Sequence, residues 1–168
     1  YPSLDIRPYF KRNYLYGEAM THILGYVGRI NDRDVERLKK EEKFANYSGS
    51  TDIGKLGIER YYEEQLHGST GFEEVEINNR GKVIRKLREQ PATAGKSIHL
   101  TIDLALQRYI MALLSGQKGA VVVLDPKDNS VLAMVSTPSY DNNLFVDGIS
   151  SSDYKRLLED PTLSLIHI

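Results

Sequence analysis

The sequence predicts an α+β fold in two parts, and three observations support this prediction. Two pairs of apolar, strand-length runs flank turn residues at 78–81 and 125–129, which is the pattern of a β-hairpin. A helical pattern of apolar residues precedes each hairpin. Residues 89–95 contain Pro and Gly and lie between the two units, so they are the predicted domain boundary. We therefore expect one domain over residues 1–95 and a second over residues 96–162.

The N-terminal third is predicted to contain short elements joined by loops. Residues 1–16, rich in Tyr, Pro and Arg, are expected to be irregular or to form an edge strand. Residues 22–30 are a strand candidate. The polar residues 31–34 provide N-cap candidates for a charged helix over residues 35–43. Residues 44–55 are predicted to form a loop.

A helix over residues 56–67 and the first hairpin are predicted to form a small core. Gly68 suits the position that follows a helix C-terminus. The hairpin strands, residues 72–77 and 82–87, flank a turn that ends in glycine. We expect residues 1–95 to fold on their own around this contact, although only marginally at this size. The apolar helix positions are Ile58, Tyr61, Tyr62 and Leu66, of which Ile58, Tyr62 and Leu66 are expected to pack on Val75, Ile77 and Val83.

The second part is predicted to begin with a strand over residues 97–102, followed by a helix that Asp103 caps. Gly116 suits the end of this helix. A last short helix over residues 154–159 has cap candidates in residues 150–153. The apolar face of the first of these helices consists of Leu106, Tyr109, Ile110, Leu113 and Leu114.

The second hairpin, residues 119–124 and 130–136, consists mainly of small and β-branched residues that do not alternate with polar ones. Such runs are typical of strands buried on both faces, in a sheet that helices cover. We expect most of this cover to be absent from the chain, which would leave apolar strands with open edges. Residues 121–124 are therefore expected to exchange amide hydrogens faster than Val75 and Ile77.

Composition and charge exclude several classes of protein. The net charge of −1 over 168 residues provides no overall field that would recruit nucleic acid. An apolar content of 40% and a charged content of 27% are typical of a folded domain. No apolar run reaches the roughly 20 residues that a membrane-spanning helix needs. Cys is absent, which fits an oxidising compartment and excludes disulfides, Cys nucleophiles and thiolate metal sites.

Two segments partly match the phosphate-binding P-loop. Residues 49–55 match it up to the last position, where Leu56 replaces the Ser or Thr that binds magnesium. Residues 95–97 match only the end of the motif, and Gln90 stands where its first Gly belongs. Because neither segment joins an apolar strand to a helix, we predict no nucleotide or other cofactor.

Other polar clusters are predicted to be structural. The four His residues are scattered, without the spacing of metal ligands, so we predict no metal site. Residues 7–14 interleave basic and aromatic side chains, as single-strand nucleic-acid binders do. No basic domain surrounds them, so a packed edge strand is favoured. The acidic residues of the first hairpin are expected to be solvated. The residues concerned are His22, His67, His99 and His167, and Glu73, Glu74 and Glu76.

Two Ser-x-x-Lys strings, Ser115 with Lys118 and Ser152 with Lys155, resemble a serine nucleophile with its lysine one helical turn away. Ser115 closes a helix, whereas a nucleophile belongs at a helix N-terminus, where the dipole favours developing negative charge. Ser152 lies near a helix start, but that helix is short and polar and is predicted to lie on the surface. We therefore assign no catalytic residue.

The order of several residue strings resembles class B penicillin-binding proteins, in particular the proteobacterial, elongation-type branch termed penicillin-binding protein 2. The first part is similar to the family's non-catalytic pedestal (dimerisation-type) domain, and the second to the start of its transpeptidase domain. Leu15 and residues 128–129 depart from the family pattern at positions that are not expected to affect catalysis. The matching strings are residues 22–28, 54–63, 66–68, 71–81, 100–103 with Gln107, 118–126, 130–138 and 139–158.

The resemblance implies a fold and a function for the whole protein. The second part would be the first helix and strands of a truncated serine β-lactamase-like transpeptidase domain. In this family a Ser-x-x-Lys serine attacks D-Ala-D-Ala and forms an acyl-enzyme. The other two motifs, Ser-x-Asn and Lys-Thr/Ser-Gly, are absent from the chain. The catalytic serine is expected beyond residue 168, so these residues alone would be inactive. The alternative is an interaction module without chemistry.

The resemblance also implies partners and a location. The whole protein would bind peptidoglycan stem peptides and β-lactams. Its pedestal would contact a lipid II-polymerising glycosyltransferase and scaffold proteins of the elongation machinery. It would lie on the periplasmic face of the inner membrane, held by an N-terminal anchor outside this chain. Residues 163–168 do not continue the family pattern, and we expect them to be a non-native tail encoded by a sequencing adapter, or else a divergent or frame-shifted end.

Overall fold

The computed structural model describes residues 11–159 of the 168-residue chain. The predictions for residues 1–10, for His167 and for the tail at 163–168 lie outside the described residues. Within the described range the chain forms helices and three two-stranded sheets, which confirms the predicted α+β class. No helix in this range is long and apolar enough to cross a bilayer.

Helices and strands are mixed along the described chain, and the strands form three separate pairs of consecutive strands. The helices are α1 (Gly17–Leu24), α2 (Asp32–Lys40), α3 (Phe44–Tyr47), α4 (Gly57–Tyr61), α5 (Glu63–His67), α6 (Leu104–Leu113), a 3-10 helix (Asn142–Phe145) and α7 (Ser151–Glu159). The strands are β1 (Val27–Arg29), β2 (Asp52–Gly54), β3 (Phe72–Ile77), β4 (Val83–Gln90), β5 (Gly119–Leu124) and β6 (Val131–Thr137). β1 pairs with β2, β3 with β4 and β5 with β6, each pair antiparallel.

The predicted strand over residues 22–30 is wrong in its first third, because these residues form the last turn of α1. Met20 and Ile23 are buried three residues apart, a helical spacing that turns both inward. Gly25 follows the helix with φ +72°, and a Cβ there would lie 2.0 Å from the Leu56 carbonyl oxygen, so this turn requires glycine. Strand β1 follows this turn and pairs with β2. β2 lies within residues 44–55, which were expected to form a loop.

Helix α2 is confirmed, but it begins three residues earlier than predicted. The Asn31 side chain accepts a hydrogen bond from the Asp34 amide at 3.0 Å, and Asp34 accepts one from the Asn31 amide at 3.0 Å. This reciprocal capping box satisfies two amides that lack a helical partner and sets the helix start. On its inner face Leu38 packs with Tyr47 and Ile53, so α3 and β2 of the expected loop contribute buried side chains.

The predicted helix over residues 56–67 is two short helices, α4 and α5, with Tyr62 between them. Tyr62 has φ −103° and ψ 20°, which interrupts the helix. Gly57, with φ +59°, lets the start of α4 approach the Ile23 carbonyl, so α4 packs against α1 and β2. No helix of the described residues makes an extended contact with β3 or β4. The predicted core of Ile58, Tyr62 and Leu66 against Val75, Ile77 and Val83 is therefore wrong.

Hairpin β3–β4 forms as predicted, with Ile77 opposite Val83 beside the turn. Gly81 has φ +73° in that turn, and Gly68 has φ +74° after α5, so both glycines occupy the positions that the sequence predicted for them. β4 extends to Gln90 and therefore includes the first two residues of the predicted linker. The domain boundary within this linker stays a prediction.

The segment 97–102 is not a strand of any sheet among the described residues. Its end lies along β6, where the Thr101 hydroxyl donates to the Val131 carbonyl at 2.7 Å. Asp103 caps α6 as predicted, since its carboxylate accepts from the Leu106 amide at 3.0 Å. The buried face of α6 differs in part from the prediction, because Tyr109 and Leu113 are exposed. The side chains that face the sheet are Leu106, Gln107, Ile110, Met111 and Leu114.

Hairpin β5–β6 is confirmed, and α6 covers one of its faces around Ile110, Ala133 and Val135. Val122 remains 57% exposed, so burial on both faces is not seen within the described residues. This hairpin is nevertheless better covered than β3–β4, which argues against the expectation that residues 121–124 exchange faster than Val75 and Ile77.

α7 begins three residues earlier than predicted, because the Ser150 hydroxyl already caps it.

Candidate functional site

The structure places Ser115 and Lys118 after the C-terminal end of α6, on the edge of a cleft of 930 Å³ between α1 and α6. A serine there faces the negative end of the helix dipole, which disfavours an alkoxide. No hydrogen bond joins the Ser115 hydroxyl to Lys118 among the described residues. The geometry therefore offers no activated nucleophile at this position.

Ser152 and Lys155 lie in the first turns of α7 and are both exposed. The Ser152 hydroxyl is 2.9 Å from the Ser150 hydroxyl, and Lys155 is 3.5 Å from Glu159. The lysine is thus paired with a carboxylate one turn further along the helix and does not contact the serine. That neither string is catalytic stays a prediction.

The P-loop-like segment 49–55 enters strand β2 and not a helix. The Gly54 amide donates to the Glu63 carboxylate at 2.7 Å, so it faces an anionic side chain and is not free for a phosphate. Residues 95–97 also lead into extended chain, where the Lys96 amide donates to the Gln65 carbonyl at 2.7 Å. Neither segment has the phosphate-cradling geometry of a nucleotide site.

The histidines are distributed over separate packing contacts. His67 stacks on Tyr47 at 4.1 Å between ring centroids, and its Nε2 lies 2.7 Å from the Ser50 hydroxyl. His22 packs edge-on against Tyr140, and burial lowers the pKa of His22. The described residues contain no group of three His, Asp or Glu side chains that would hold a metal ion.

The acidic residues of the first hairpin are surface charges. Glu73 pairs with Lys86, and Glu76 pairs with Arg85, in both cases across the two strands. Opposite charges on facing strands stabilise a hairpin modestly. They do not form a pair of carboxylates around a common substrate position.

Five polar side chains connect the N-terminal and C-terminal halves of the described chain, and we refer to them as the junction. Each of them contacts a backbone group of an element that is distant in sequence. Hydrogen bonds of this kind position one element on another with little tolerance, because they need both a distance and a direction. The junction residues are Thr21, Gln107, Ser139, Asn142 and Asn143.

Gln107 of α6 is 1% exposed and uses its whole amide group in the junction. Its Nε2 donates to the Ala19 carbonyl of α1 and to the Met134 carbonyl of β6, each at 2.8 Å. Its Oε1 accepts from the Met134 amide at 2.8 Å. One side chain therefore sets the positions of α1, α6 and β6 relative to one another.

Two consecutive asparagines bind the 3-10 helix to the N-terminal half. The Asn142 side chain donates to the Gly25 carbonyl at 2.8 Å. The Asn143 side chain pairs with both backbone groups of Tyr14, since it accepts from the amide and donates to the carbonyl at 2.9 Å. These two hydrogen bonds have the pattern of a backbone–backbone pair, and they fix Tyr14, which precedes α1, against the 3-10 helix.

Thr21 and Ser139 complete the junction at α1. The Thr21 hydroxyl donates to the Tyr140 carbonyl at 2.6 Å, and the Ser139 hydroxyl donates to the Glu18 carbonyl at 2.7 Å. Thr21 also lies 2.9 Å from the Gly17 carbonyl within its own helix. α1 is thus joined to the segment that follows β6 near its first turn, at Glu18, and in its middle, at Thr21.

A buried carboxylate, Glu59, contacts the residues that precede α1. Glu59 of α4 is 6% exposed and pairs with Arg12 through two contacts of 2.9 Å. The Tyr14 hydroxyl accepts from the Val27 amide at 2.9 Å and also contacts Glu59. Burial raises the pKa of Glu59 despite the nearby Arg12 guanidinium, and burial likewise raises the pKa of Tyr14.

Reasoning from sequence missed most of this site. The apolar face predicted for α6 did not include Gln107, but this polar residue stands between Leu106 and Ile110 of that face, which was the available signal. Nothing local distinguishes Thr21, Asn142 or Asn143 from ordinary surface residues. The described chain thus has a site that positions elements, and its residues do not form a catalytic constellation.

Two family models match the chain in sequence order. Residues 1–100 match the penicillin-binding protein dimerisation domain, and residues 119–162 match the penicillin-binding protein transpeptidase domain. The junction connects these two matched segments, because Thr21 lies in the first and Ser139, Asn142 and Asn143 lie in the second.

Curated relatives match nearly the whole chain. It is 83% identical over 160 residues to the peptidoglycan D,D-transpeptidase MrdA of Haemophilus influenzae, a match that covers 95% of this chain and 25% of that protein. It is 60% identical over 167 residues to the protein of the same name from Escherichia coli K12, covering 99% of this chain and 26% of that protein. The chain thus spans about a quarter of the length of the curated relatives it matches.

Solved structures share the fold. The crystal structure of Pseudomonas aeruginosa PBP2 in complex with WCK 5153 matches with a TM-score of 0.75 and 41% identity, over 96% of this chain and 32% of that one. The complex between PBP2 and MreC from Helicobacter pylori matches with a TM-score of 0.73 and 29% identity, over 89% of this chain and 27% of that one. These neighbours confirm the predicted branch, penicillin-binding protein 2.

Proposed function

The chain belongs to the penicillin-binding protein family, and from that premise we propose that it is part of a peptidoglycan D,D-transpeptidase. It would supply part of the non-catalytic pedestal and the first helix and hairpin of the catalytic domain. The observation that supports this most directly is the order of the two family segments, 1–100 and 119–162, along one chain. Relatives that bear the name D,D-transpeptidase match 95% and 99% of this chain.

In the proposed reaction a serine hydroxyl outside these residues attacks the carbonyl of the D-Ala-D-Ala amide. The amide bond breaks, D-Ala leaves with a proton, and the stem peptide remains as a serine ester. An amine of a second stem peptide then attacks the ester, which forms the crosslink and restores the serine. β-Lactams would acylate the same serine. The residues described here would position the first strands of the catalytic sheet through the junction.

The second candidate function is an interaction module of the cell-elongation machinery. The Helicobacter pylori relative forms a complex with MreC, which supports a scaffold partner for the pedestal of this protein as well. A lipid II-polymerising glycosyltransferase is proposed as a further partner on the family resemblance alone. The same resemblance supports a location on the periplasmic face of the inner membrane, with an anchor outside this chain.

Acylation by a fluorescent penicillin tests the proposed function. The 168 residues by themselves should remain unlabelled on a denaturing gel, because Ser115 and Ser152 lack an activating lysine contact. Reading the gene past residue 162 should reveal Ser-x-x-Lys at the start of a helix, and the longer protein should be labelled stoichiometrically. The proposal fails if no such motif follows, or if the longer protein is not labelled. Label on the shorter chain that Ser115→Ala or Ser152→Ala removes would contradict the assignment of no catalytic residue.

A further inference from the structure

His22 lies where the junction connects α1 to the segment that follows β6. Its neighbour Thr21 donates to the Tyr140 carbonyl at 2.6 Å. The His22 ring packs edge-on against the Tyr140 ring, with centroids 6.1 Å apart, and it also contacts the Pro138 backbone. The imidazole therefore lies between the two family segments, since α1 belongs to the first and residues 138–140 belong to the second.

The Nε2 atom of His22 is buried and has no hydrogen-bond partner among the described residues. A neutral imidazole fits such a position, because the tautomer with its proton on Nδ1 leaves Nε2 without an N–H. A protonated ring carries an N–H on both nitrogens, so Nε2 would become a buried donor without an acceptor. A buried donor of this kind costs the free energy of its desolvation. The packing around His22 therefore accommodates the neutral ring better than the cation.

No carboxylate around α1 is placed to neutralise a charged His22. Asp141 accepts two hydrogen bonds from Asn143, and Glu59 is paired with Arg12. The remaining acidic residue, one turn earlier on α1, is exposed. β6 and the 3-10 helix contribute no charged residue. The charged residues of α1 and of the elements packed on it, together with the tyrosine that meets the ring, are Glu18, Glu59, Arg60, Arg108, Tyr140 and Asp141.

We propose that His22 makes the junction sensitive to acid, so that protonation of its ring separates α1 from the segment that follows β6. Burial lowers the pKa of His22, although the contact with the Pro138 backbone and the C-terminal end of α1 both favour the cation. The closed junction therefore binds this proton less readily than the open one. Closure is favoured above the ordinary His pKa of about 6.5 and is lost as the pH falls below it.

The other described histidines lack this combination of a buried ring nitrogen and a missing partner. His67 stacks on Tyr47, and its Nε2 lies 2.7 Å from the Ser50 hydroxyl. His99 is exposed. The described residues bury the Nε2 atom of His22 by themselves, so the proposal does not depend on what covers their outer surface in a longer protein.

Hydrogen exchange measured by NMR on the full 168-residue chain at pH 7.5 and pH 5.0 tests the proposal. Two groups report opening, because each donates across the junction: the Tyr14 amide to the Asn143 side chain, and the Asn142 side-chain amide to the Gly25 carbonyl. After correction for intrinsic exchange rates, their opening equilibrium should rise in acid. The Val35 amide of α2 bonds within its own helix and serves as the internal control.

His22→Gln keeps a neutral side chain at both pH values and is the decisive variant. The rise in the wild type should exceed that in His22→Gln by about 5- to 30-fold, the upper value being the limit for one proton with an ordinary pKa of about 6.5. His99→Gln removes an exposed histidine and should behave like the wild type. Glu59 and Asp34 titrate in all three chains, so their effects cancel in this comparison.

The proposal is overturned if His22→Gln and the wild type respond equally to acid, or if His99→Gln also loses the response. It is overturned as well if the comparison at Val35 gives the same factor, because the whole chain then unfolds and the junction has no opening of its own.

A titration of the wild-type chain provides a second measurement, which remains decisive if His22→Gln does not fold. The Cε1–H signal of His22 should titrate with a midpoint below about 6.5, and the Tyr14 amide should lose protection with the same midpoint. A protonated His22 beside a fully protected Tyr14 amide overturns the proposal. The consequence for a whole transpeptidase, which is weaker support of its first catalytic strands in acid, rests on the proposed function, whereas the exchange measurements do not.

Discussion

At the scale of single residues, the most consequential position is Gln107. Its buried amide makes three hydrogen bonds to backbone groups, and it connects α1, α6 and β6. A buried amide with all of its partners present stabilises a fold modestly, but backbone groups that lose such a partner are costly. Loss of the Gln107 amide is therefore expected to destabilise the fold mainly because it would leave backbone groups without a hydrogen-bond partner.

We expect Gln107→Ala to destabilise the chain by about 3 kcal/mol, because it leaves the Ala19 carbonyl and both Met134 backbone groups without a partner. Urea unfolding followed by circular dichroism measures this change. Gln117→Ala removes the same amide from an exposed position and serves as the control, with little expected effect. If both substitutions cost the same, Gln107 does not have the role assigned to it.

Glu59 is a buried carboxylate whose titration should affect stability. Its pKa is raised by burial, so the folded state holds this proton more tightly than the unfolded state does. The stability linked to Glu59 is therefore complete at low pH and is lost as the pH rises through the raised pKa. Glu59→Gln removes this titration. Relative to the wild type, the Gln variant should gain stability as the pH rises from about 4 to neutrality.

The pKa of Asp34 is shifted in the opposite direction, so its effect on the pH dependence of stability should be opposite to that of Glu59. Burial raises the pKa of Asp34, but its contacts with Lys55 and the Asn31 amide outweigh burial and lower it. Its contribution is therefore present above its unfolded pKa and is lost as the pH falls. Asp34→Asn should lose most stability at neutral pH and least in acid. Urea unfolding of both variants at several pH values should show these two opposite slopes, and parallel slopes would contradict the assignment.

At the scale of elements, local residues determine the caps and turns, whereas contacts with distant residues determine the lengths of helices and strands. Caps and turns formed where the sequence predicted them, because Asn31, Asp103 and Gly81 act within a few residues of themselves. The lengths of elements followed from contacts with distant residues. α4 and α5 are separated at Tyr62, and α4 packs on α1 and β2.

The two hairpins should differ in protection from hydrogen exchange. β5–β6 carries α6 on one face and buries Ala133 and Val135, whereas β3–β4 has no extended cover among the described residues. We expect amides of β5 and β6 to exchange at least about 10-fold more slowly than those of β3 and β4, since exchange follows local opening. Mass spectrometry of peptides from the two hairpins measures the ratio. Equal protection, or faster exchange in β5–β6, would contradict this expectation.

At the scale of the whole molecule, the two family segments share one core. Tyr26 of the first segment stacks on Phe145 of the second, with ring centroids 4.1 Å apart. Val146 packs with Tyr14 and Val27 in the same interior. The expectation that residues 1–95 fold on their own rested on a helix–hairpin contact that the structure does not contain. The N-terminal core is instead completed by residues that follow β6.

We therefore expect residues 1–95, expressed alone, to lack a cooperative thermal transition at the temperature where the full chain melts. In the full chain, Phe145→Ala should cost about 3 kcal/mol, because it opens a cavity against Tyr26 and Tyr140. Phe44→Ala, at an exposed position, is the control and should cost much less. Circular dichroism melts measure all three. A segment 1–95 that melts like the full chain would show that the shared core is dispensable.

The sequence by itself determined the fold class, both hairpins, the caps of α2 and α6 and the resemblance to the family. These features depend on residues within one turn or one strand of each other, so a pattern along the chain is sufficient to predict them. Only the tertiary structure decided that residues 22–24 are helical, that α4 and α5 are separate and that β3–β4 stands apart from the helices.

The junction is the clearest case of a feature that the sequence could not supply. Gln107 meets Ala19 across 88 positions of the chain, and Asn143 meets Tyr14 across 129. A polar side chain has the same local pattern whether it faces water or a distant carbonyl group. Its partner is chosen when the elements pack, because the energy of a buried hydrogen bond depends on distance and direction in three dimensions.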